Sequence, residues 1–316
     1  MKKFSIQCIL FISIMIVIIL FSLFLIPNKR LTDNSLYANI DKHHRLDSLP
    51  SPKIVFVGGS NLGFGLDSKR VEDSLHIPVV NMGLHAGLGL RFMINEVKCS
   101  IRRDDIVVLS PEYDHFFSTN LLDGEKVLVA LLFDVNRRDL KYITFSQAIH
   151  LIPLTVEYSV SKLMHKEMDV MDEDVNNNFD KNYRRNSFNK YGDEVMHWNY
   201  PNQSIHQMAG ATIIENVSVS TLELITGFDQ FLNARGAKLV IIPPAFMSSA
   251  YGGYAKVIDD IDRELKGVKI PFAIKPKSFV FPDSLFFNTV YHLNRQGVTE
   301  RTDSIIGLLK TKLKNK

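Results

Sequence analysis

The chain is poor in the residues that build cross-linked or metal-held folds. It has 316 residues but only two cysteines, Cys8 and Cys99. Two thiols make neither a disulfide framework nor a zinc-type spacing. Cys8 also lies in an apolar N-terminal stretch, so a Cys8–Cys99 bridge is not expected. The ten histidines form no HExxH or other short metal-ligand spacing, and neither a metal nor any other cofactor is expected. A strong charge of one sign is lacking as well. The formal net charge is +3, and the lysines and arginines are scattered rather than gathered in a stripe with interleaved aromatics, which argues against a nucleic-acid partner. Internal repeats are absent. What is present is ordinary globular material: 46% hydrophobic and 22% charged residues allow a sizeable core once the N-terminus is set aside.

One stretch lacks charge entirely. From Phe4 to Pro27 there is no ionised side chain, and the middle reads Ile9-Leu10-Phe11-Ile12-Ser13-Ile14-Met15-Ile16-Val17-Ile18-Ile19-Leu20. About 20 helical residues, rising ~1.5 Å each, cross a hydrocarbon core of ~30 Å. A cleaved signal peptide would have a shorter apolar region and a small-residue cleavage site. An uncleaved single-pass anchor over residues 1–27 is therefore expected. Lys2, Lys3 and the amino terminus favour a cytoplasmic start, opposed in part by Lys29 and Arg30, so the body is expected outside the cytoplasm. Residues 28–51 are polar, run into Ser-Leu-Pro-Ser-Pro at 48–52 and read as a linker.

The body, residues 52–316, alternates strand and helix signals. Four short β-branched runs, at residues 53–58, 78–83, 105–110 and 238–243, read as buried strands. Helical stretches fall at 66–75, 90–102 and 217–234, the last closed by Gly236. This alternation predicts an α/β fold with a mostly parallel sheet, covered by helices on both faces. The pattern breaks over about 116–216, which reads as an insertion. It has apolar helical pieces at 127–133 and 145–163, then a polar stretch from Asp169 to Asn189 expected to be a mobile loop.

Ligands of open parallel sheets bind at the carboxyl ends of the strands. The first strand ends in Gly58-Gly59-Ser60-Asn61, and the second in a segment holding Gly83 and His85. The third leads into Pro111-Glu112-Tyr113-Asp114-His115. Near the C-terminus stand Asn288, Tyr291, His292 and Gly297. Ser60 occupies a sharp strand-to-helix turn, where free N–H groups can stabilise negative charge. Its hydroxyl is either a nucleophile awaiting a base or a helix cap. A nucleotide-binding reading of residues 58–65 fails, because the spacing fits neither the P-loop nor the dinucleotide fingerprint and the phosphate-binding lysine is missing.

With these residues in place, the chain resembles the SGNH (GDSL-type) hydrolases. Gly58-Gly59-Ser60-Asn61 is similar to their first block, Gly83 to their second, and Tyr-His-Leu-Asn-x-x-Gly at 291–297 to their last. The resemblance covers roughly 52–115 and 236–312. By pattern it points to the envelope branch, with the D-alanyl-lipoteichoic-acid transfer protein and polysaccharide O-acetyltransferase groups. It implies a flavodoxin-like three-layer fold in which Ser60 attacks an ester carbonyl and His292 moves the proton. The N–H groups of Ser60 and Gly83 would form the oxyanion hole. It also implies an envelope glycan or lipid-linked polymer as substrate, and a multi-spanning membrane acyl donor as partner. Two positions depart from the family pattern. The third block has Glu112 where an asparagine is usual, and Asn288 stands near where an aspartate precedes the histidine, with Asp283 as a more distant acid. Asn61, His85, Glu112 and Asp283 are candidate supporting residues. Two functions follow: a serine esterase or O-acyltransferase, or a non-catalytic glycan-binding or partner-binding protein on the same scaffold.

Overall fold

The computed structural model describes residues 2–28, 31, 33–164, 183–203, 205 and 213–314. Its centre is a four-stranded sheet of β1 (Ile54–Gly58), β2 (Val79–Asn81), β3 (Ile106–Ser110) and β4 (Lys238–Ile241), all parallel in the order β2-β1-β3-β4. Every residue of β1, β2 and β3 is buried. Continuous apolar runs are what strands covered on both faces require. The chain leaves β1 for β2 on one side and reappears as β3 on the other, so the order reverses between β1 and β3. The crevice at the carboxyl ends of these two strands is the favoured ligand position in such a sheet. Gly58 and Ser110 pair across it.

The helices expected at 66–75, 90–102, 145–163 and 217–234 form with small shifts of their ends, and a long helix over Ser248–Gly267 is an addition to them. N-terminal to the sheet are α1 (Lys2–Leu25) and α2 (Ala38–Ser48). Around it are α3 (Ser60–Gly63), α4 (Ser68–Leu75), α5 (Leu90–Lys98), α6 (Thr119–Asp123), α7 (Lys126–Ala130), α8 (Phe145–Leu163), α9 (Val219–Ala234), α10 (Ser248–Gly267) and α11 (Arg295–Lys314). Gly236, at φ 72°, makes the turn from α9 into β4. Two strands escaped the sequence reading: β5 (Phe246–Met247) and β6 (Val280–Phe281) form a separate parallel pair. Two residues each are too few for a periodic signal.

Helix α1 is long and apolar enough to cross a membrane, and only Ser22 and Leu23 on it are buried. The segment expected to be a linker is not one. Residues 38–48 form α2, which buries Ala38 and Leu46 and sends Lys42 into the interior. There the Lys42 ammonium donates to Asn81 O (2.9 Å), Gly83 O (2.8 Å) and Gly192 O. Burial pushes its pKa down to about 7. Three carbonyls facing one buried donor explain why a polar helix packs so tightly.

The insertion also differs from expectation. Residues 169–182 of the polar stretch lie outside the described residues, but its end, from Tyr183 to Asn189, is fastened to the body. Tyr183 O accepts from Ser35 N (2.8 Å), and a little further on Tyr191 O accepts from Asn81 N (2.8 Å) while Glu194 N donates to Gly63 O (2.8 Å). These bonds bring the insertion to the carboxyl ends of the strands.

Candidate active site

Ser60 opens α3 directly after β1, with the tight turn at Gly59. A Cβ on Gly59 would lie 2.5 Å from Glu112 Oε1 and 2.6 Å from Oε2, so only glycine lets the turn settle on that carboxylate. Glu112 is buried beneath the turn, and its Oε1 accepts the Asn61 N–H at 3.0 Å. Its Oε2 makes no hydrogen bond. His115 Nδ1 lies 3.3 Å from it, without hydrogen-bond alignment. Glu112 thus buttresses the turn instead of lining an oxyanion position.

Asn61 is equally structural. Its Nδ2 donates to Ser110 O (2.9 Å), and its Oδ1 accepts from Arg301 Nη2 (2.9 Å) and Ser110 Oγ (3.2 Å). Arg301, from α11, is fully buried and also donates from Nη1 to Asn61 O (2.6 Å). Burial lowers its pKa to about 9, and the charge of Glu112 opposes the shift. Arg301 was not legible as a site residue. In the sequence it is one more cation on a C-terminal helix, and only its 0% exposure sets it apart.

His292 is brought to this turn by the segment before α11. Its ring stacks on Phe64 at 4.2 Å and 8°, and the N–H of Phe64 closes the α3 turn on Ser60 O at 2.8 Å. Asn288 Nδ2 donates to the Tyr183 hydroxyl (3.2 Å), which turns its Oδ1 toward the ring, 2.9 Å from His292 Nδ1. Nδ1 therefore carries the proton, and Nε2 holds the lone pair, the tautomer a general base needs. The Tyr183 hydroxyl lies 3.4 Å from Nδ1 as well. Burial lowers the His292 pKa to about 3, with further lowering from His197 and His85. The imidazole is neutral at pH 7.

Of the two groups considered as partner to His292, Asn288 fills the role. Asp283 instead accepts from Ser248 Oγ (2.9 Å) and Ser249 N (3.0 Å) at the start of α10. Gly83 departs from its expected role. Its N–H donates to Asn81 Oδ1 at 2.9 Å, so it does not stand open for a substrate oxygen. A Cβ there would meet Leu62 Cβ at 2.5 Å and Gly59 O at 2.8 Å, so the glycine serves close approach of the β2 loop to α3. His85 accepts from Gly87 N through Nδ1 (3.0 Å), next to the site. His115 is buried, with Nε2 3.1 Å from Ala86 O.

The insertion adds a second buried imidazole. His197 lies 5.0 Å from Phe64, ring to ring, pairs through Nδ1 with Glu194, and meets Leu293 O through Nε2 at 2.9 Å. Two clefts of about 570 and 560 Å³ lie elsewhere, and neither is lined by Ser60 or His292. Among the described residues, one group has metal-ligating composition: His43, Glu96 and Asp139, with ligand atoms all within 4.8 Å. Burial opposes the charge on His43, yet its hydrogen bond to the Glu96 carboxylate raises its pKa. Burial raises Asp139 to about 7. The cluster includes no residue of the Ser60 turn.

No protein-family model matches the chain, and no curated protein matches it.

Proposed function

We propose that this chain is a membrane-anchored serine esterase or O-acyltransferase acting on acyl groups of envelope glycans, on a three-layer SGNH-like scaffold. The observation that carries the reading is the His292 arrangement. A neutral imidazole is fixed by Asn288 in the tautomer that leaves Nε2 as acceptor, and it is stacked one turn from Ser60. In the proposed reaction Ser60 Oγ attacks the ester carbonyl while its proton passes to His292 Nε2. The leaving alcohol takes that proton as the acyl–Ser60 bond remains. Water or a sugar hydroxyl then gives its proton to Nε2 and takes the acyl group, and Ser60 Oγ takes that proton from Nε2 as the acyl–Ser60 bond breaks. The apolar α1 would hold the body outside the cytoplasm beside lipid-linked or surface polymers, within reach of a multi-spanning acyl donor.

The test is labelling by a fluorophosphonate probe in membranes. Wild type is expected to label and Ser60→Ala to stay dark. No labelling of the wild type under any condition sinks the enzyme.

A second reading is favoured by one specific observation. Of the two N–H groups expected in the oxyanion hole, that of Gly83 is already engaged by Asn81, and the neighbouring N–H of Asn61 is engaged by Glu112. An oxyanion hole normally keeps its donors aimed at developing charge, and losing one costs on the order of 10²–10³ in rate. On this reading the chain binds a glycan or an acyltransferase partner without turnover. Glycan binding that survives Ser60→Ala and His292→Ala together would select it.

A further inference from the structure

Helix α8 is built inside out for a protein in water. Five of its polar side chains, Gln147, Tyr158, Ser159, Ser161 and Lys162, are buried, while Ser146 and Glu157 stay exposed beside the stripe, Glu157 in a pair with Lys126. Its outward face carries Phe145, Ile149, Ile152, Val156, Val160 and Leu163, exposed from 36% at Val156 to 83% at Phe145. The steps between these six, of three or four residues, put them on one stripe. In water such a stripe turns toward the core, so its outward direction points to a different solvent.

The neighbour of α8 identifies that solvent. The helix packs against α1, the candidate span, near its C-terminal end. Ser22 Oγ donates to Ser159 O (2.8 Å), and Lys162 Nζ reaches Leu23 O (3.3 Å) while paired with Asp134 Oδ1 (2.9 Å). Each of these polar groups, level with the last turns of the span, is satisfied inside the protein, as a hydrocarbon surrounding demands. Cations mark the rim. Arg137 donates to Phe24 O (3.0 Å), and Arg138 and Lys141 are exposed on the same short segment. Cations beside the end of a span suit lipid phosphates.

We propose that the outward face of α8 is embedded in the lipid bilayer beside α1, so that the body is seated on the membrane through two helices. This rests on the reading of α1 as a span. The occupant is lipid acyl chain, because the stripe continues from a helix that is apolar on all sides, and the cations at its edge match phosphate headgroups.

The experiment uses the full chain in nanodiscs of phosphatidylcholine and phosphatidylglycerol. An environment-sensitive fluorophore is placed on one cysteine at a time, and brominated acyl chains serve as quencher. Native Cys8 reports on α1 and native exposed Cys99 on the body, each with the other replaced by Ser. Ile152→Cys and Val156→Cys, with both native cysteines replaced, report on α8. Both α8 labels are expected to be quenched about twofold or more, as at Cys8, while Cys99 is not. If Cys8 itself escapes quenching, the span reading fails and this proposal with it. If Cys8 is quenched but both α8 labels behave like Cys99, the proposal alone is overturned. Disulfide capture of Ile152→Cys by a second copy, without lipid quenching, overturns it in favour of self-association.

Discussion

Two buried histidines meet the ring of Phe64 from different parts of the chain, and they are wired in opposite ways. His197, from the insertion, has the carboxylate Glu194 on Nδ1, but its Nε2 is tied to Leu293 O. His292, from the C-terminal block, has only the amide of Asn288 on Nδ1, and no hydrogen bond to a described residue engages its Nε2. The better-supported imidazole is thus locked into the structure, and the one with weaker support is the base of the proposed reaction. Position decides which ring can act as a base. The partner then sets how well it acts, because an amide orients the ring without stabilising the imidazolium.

The largest expected effect tests that division directly. His292→Ala should cut turnover of an acyl ester by on the order of 10⁴-fold or more. His197→Gln should leave fluorophosphonate labelling of Ser60 in the folded fraction while lowering the melting temperature, since Glu194 loses its buried partner. The reverse outcome would exchange the two roles.

The second effect concerns pH. The folded pKa of His292 is about 3, below the unfolded value near 6.5. Between these values the unfolded chain binds the proton and the folded chain does not, so stability rises with pH through this window. The contribution is fully present above about pH 6.5. It falls away as pH drops toward 3. Denaturant unfolding of wild type and His292→Gln, compared from pH 3.5 to 7.5, should show wild type losing on the order of 4 kcal/mol more on acidification. Parallel curves would mean that the ring is not desolvated.

Next comes the partner. Asn288→Asp would place a charge beside Nδ1, raise the His292 pKa and increase turnover by roughly 10–100-fold. No gain would mean that the occupied N–H groups of Gly83 and Asn61, rather than the imidazolium, limit the site. The smallest effect is at the acid that stands apart. Asp283→Ala removes a cap from α10 and should cost about 1 kcal/mol of stability, with Ser60 labelling unchanged.

Much of the sheet is legible in the sequence because its strands are covered on both faces. Ile54–Gly58 and Ile106–Ser110 are unbroken apolar runs that need no partner to be recognised. Ser60 stands out for a related reason, since it directly follows the end of β1, whereas His292 stands out only through its resemblance to the last block of the SGNH hydrolases. The supporting residues do not. Tyr183 reaches the ring of His292 across 109 residues of chain, and Arg301 reaches Asn61 across 240. No local period encodes such meetings. Helix α2 was missed because Ala38–Ser48 is mostly polar, and its place depends on Lys42 finding three carbonyls. The outward face of α8 has the correct helical period, but periodicity does not say which side of a stripe meets protein.

The Lys42 bonds have a consequence for reach. Only the residues between Leu25 and Ala38 separate α1 from α2, and α2 is bolted through Lys42 to the loop that holds Gly83. A body on a long, slack tether would sweep a volume above its anchor and meet substrates at many heights. This one has little slack to spend, so under the proposed anchoring Ser60 would be held at a nearly constant altitude, and an acceptor would have to present itself at that level.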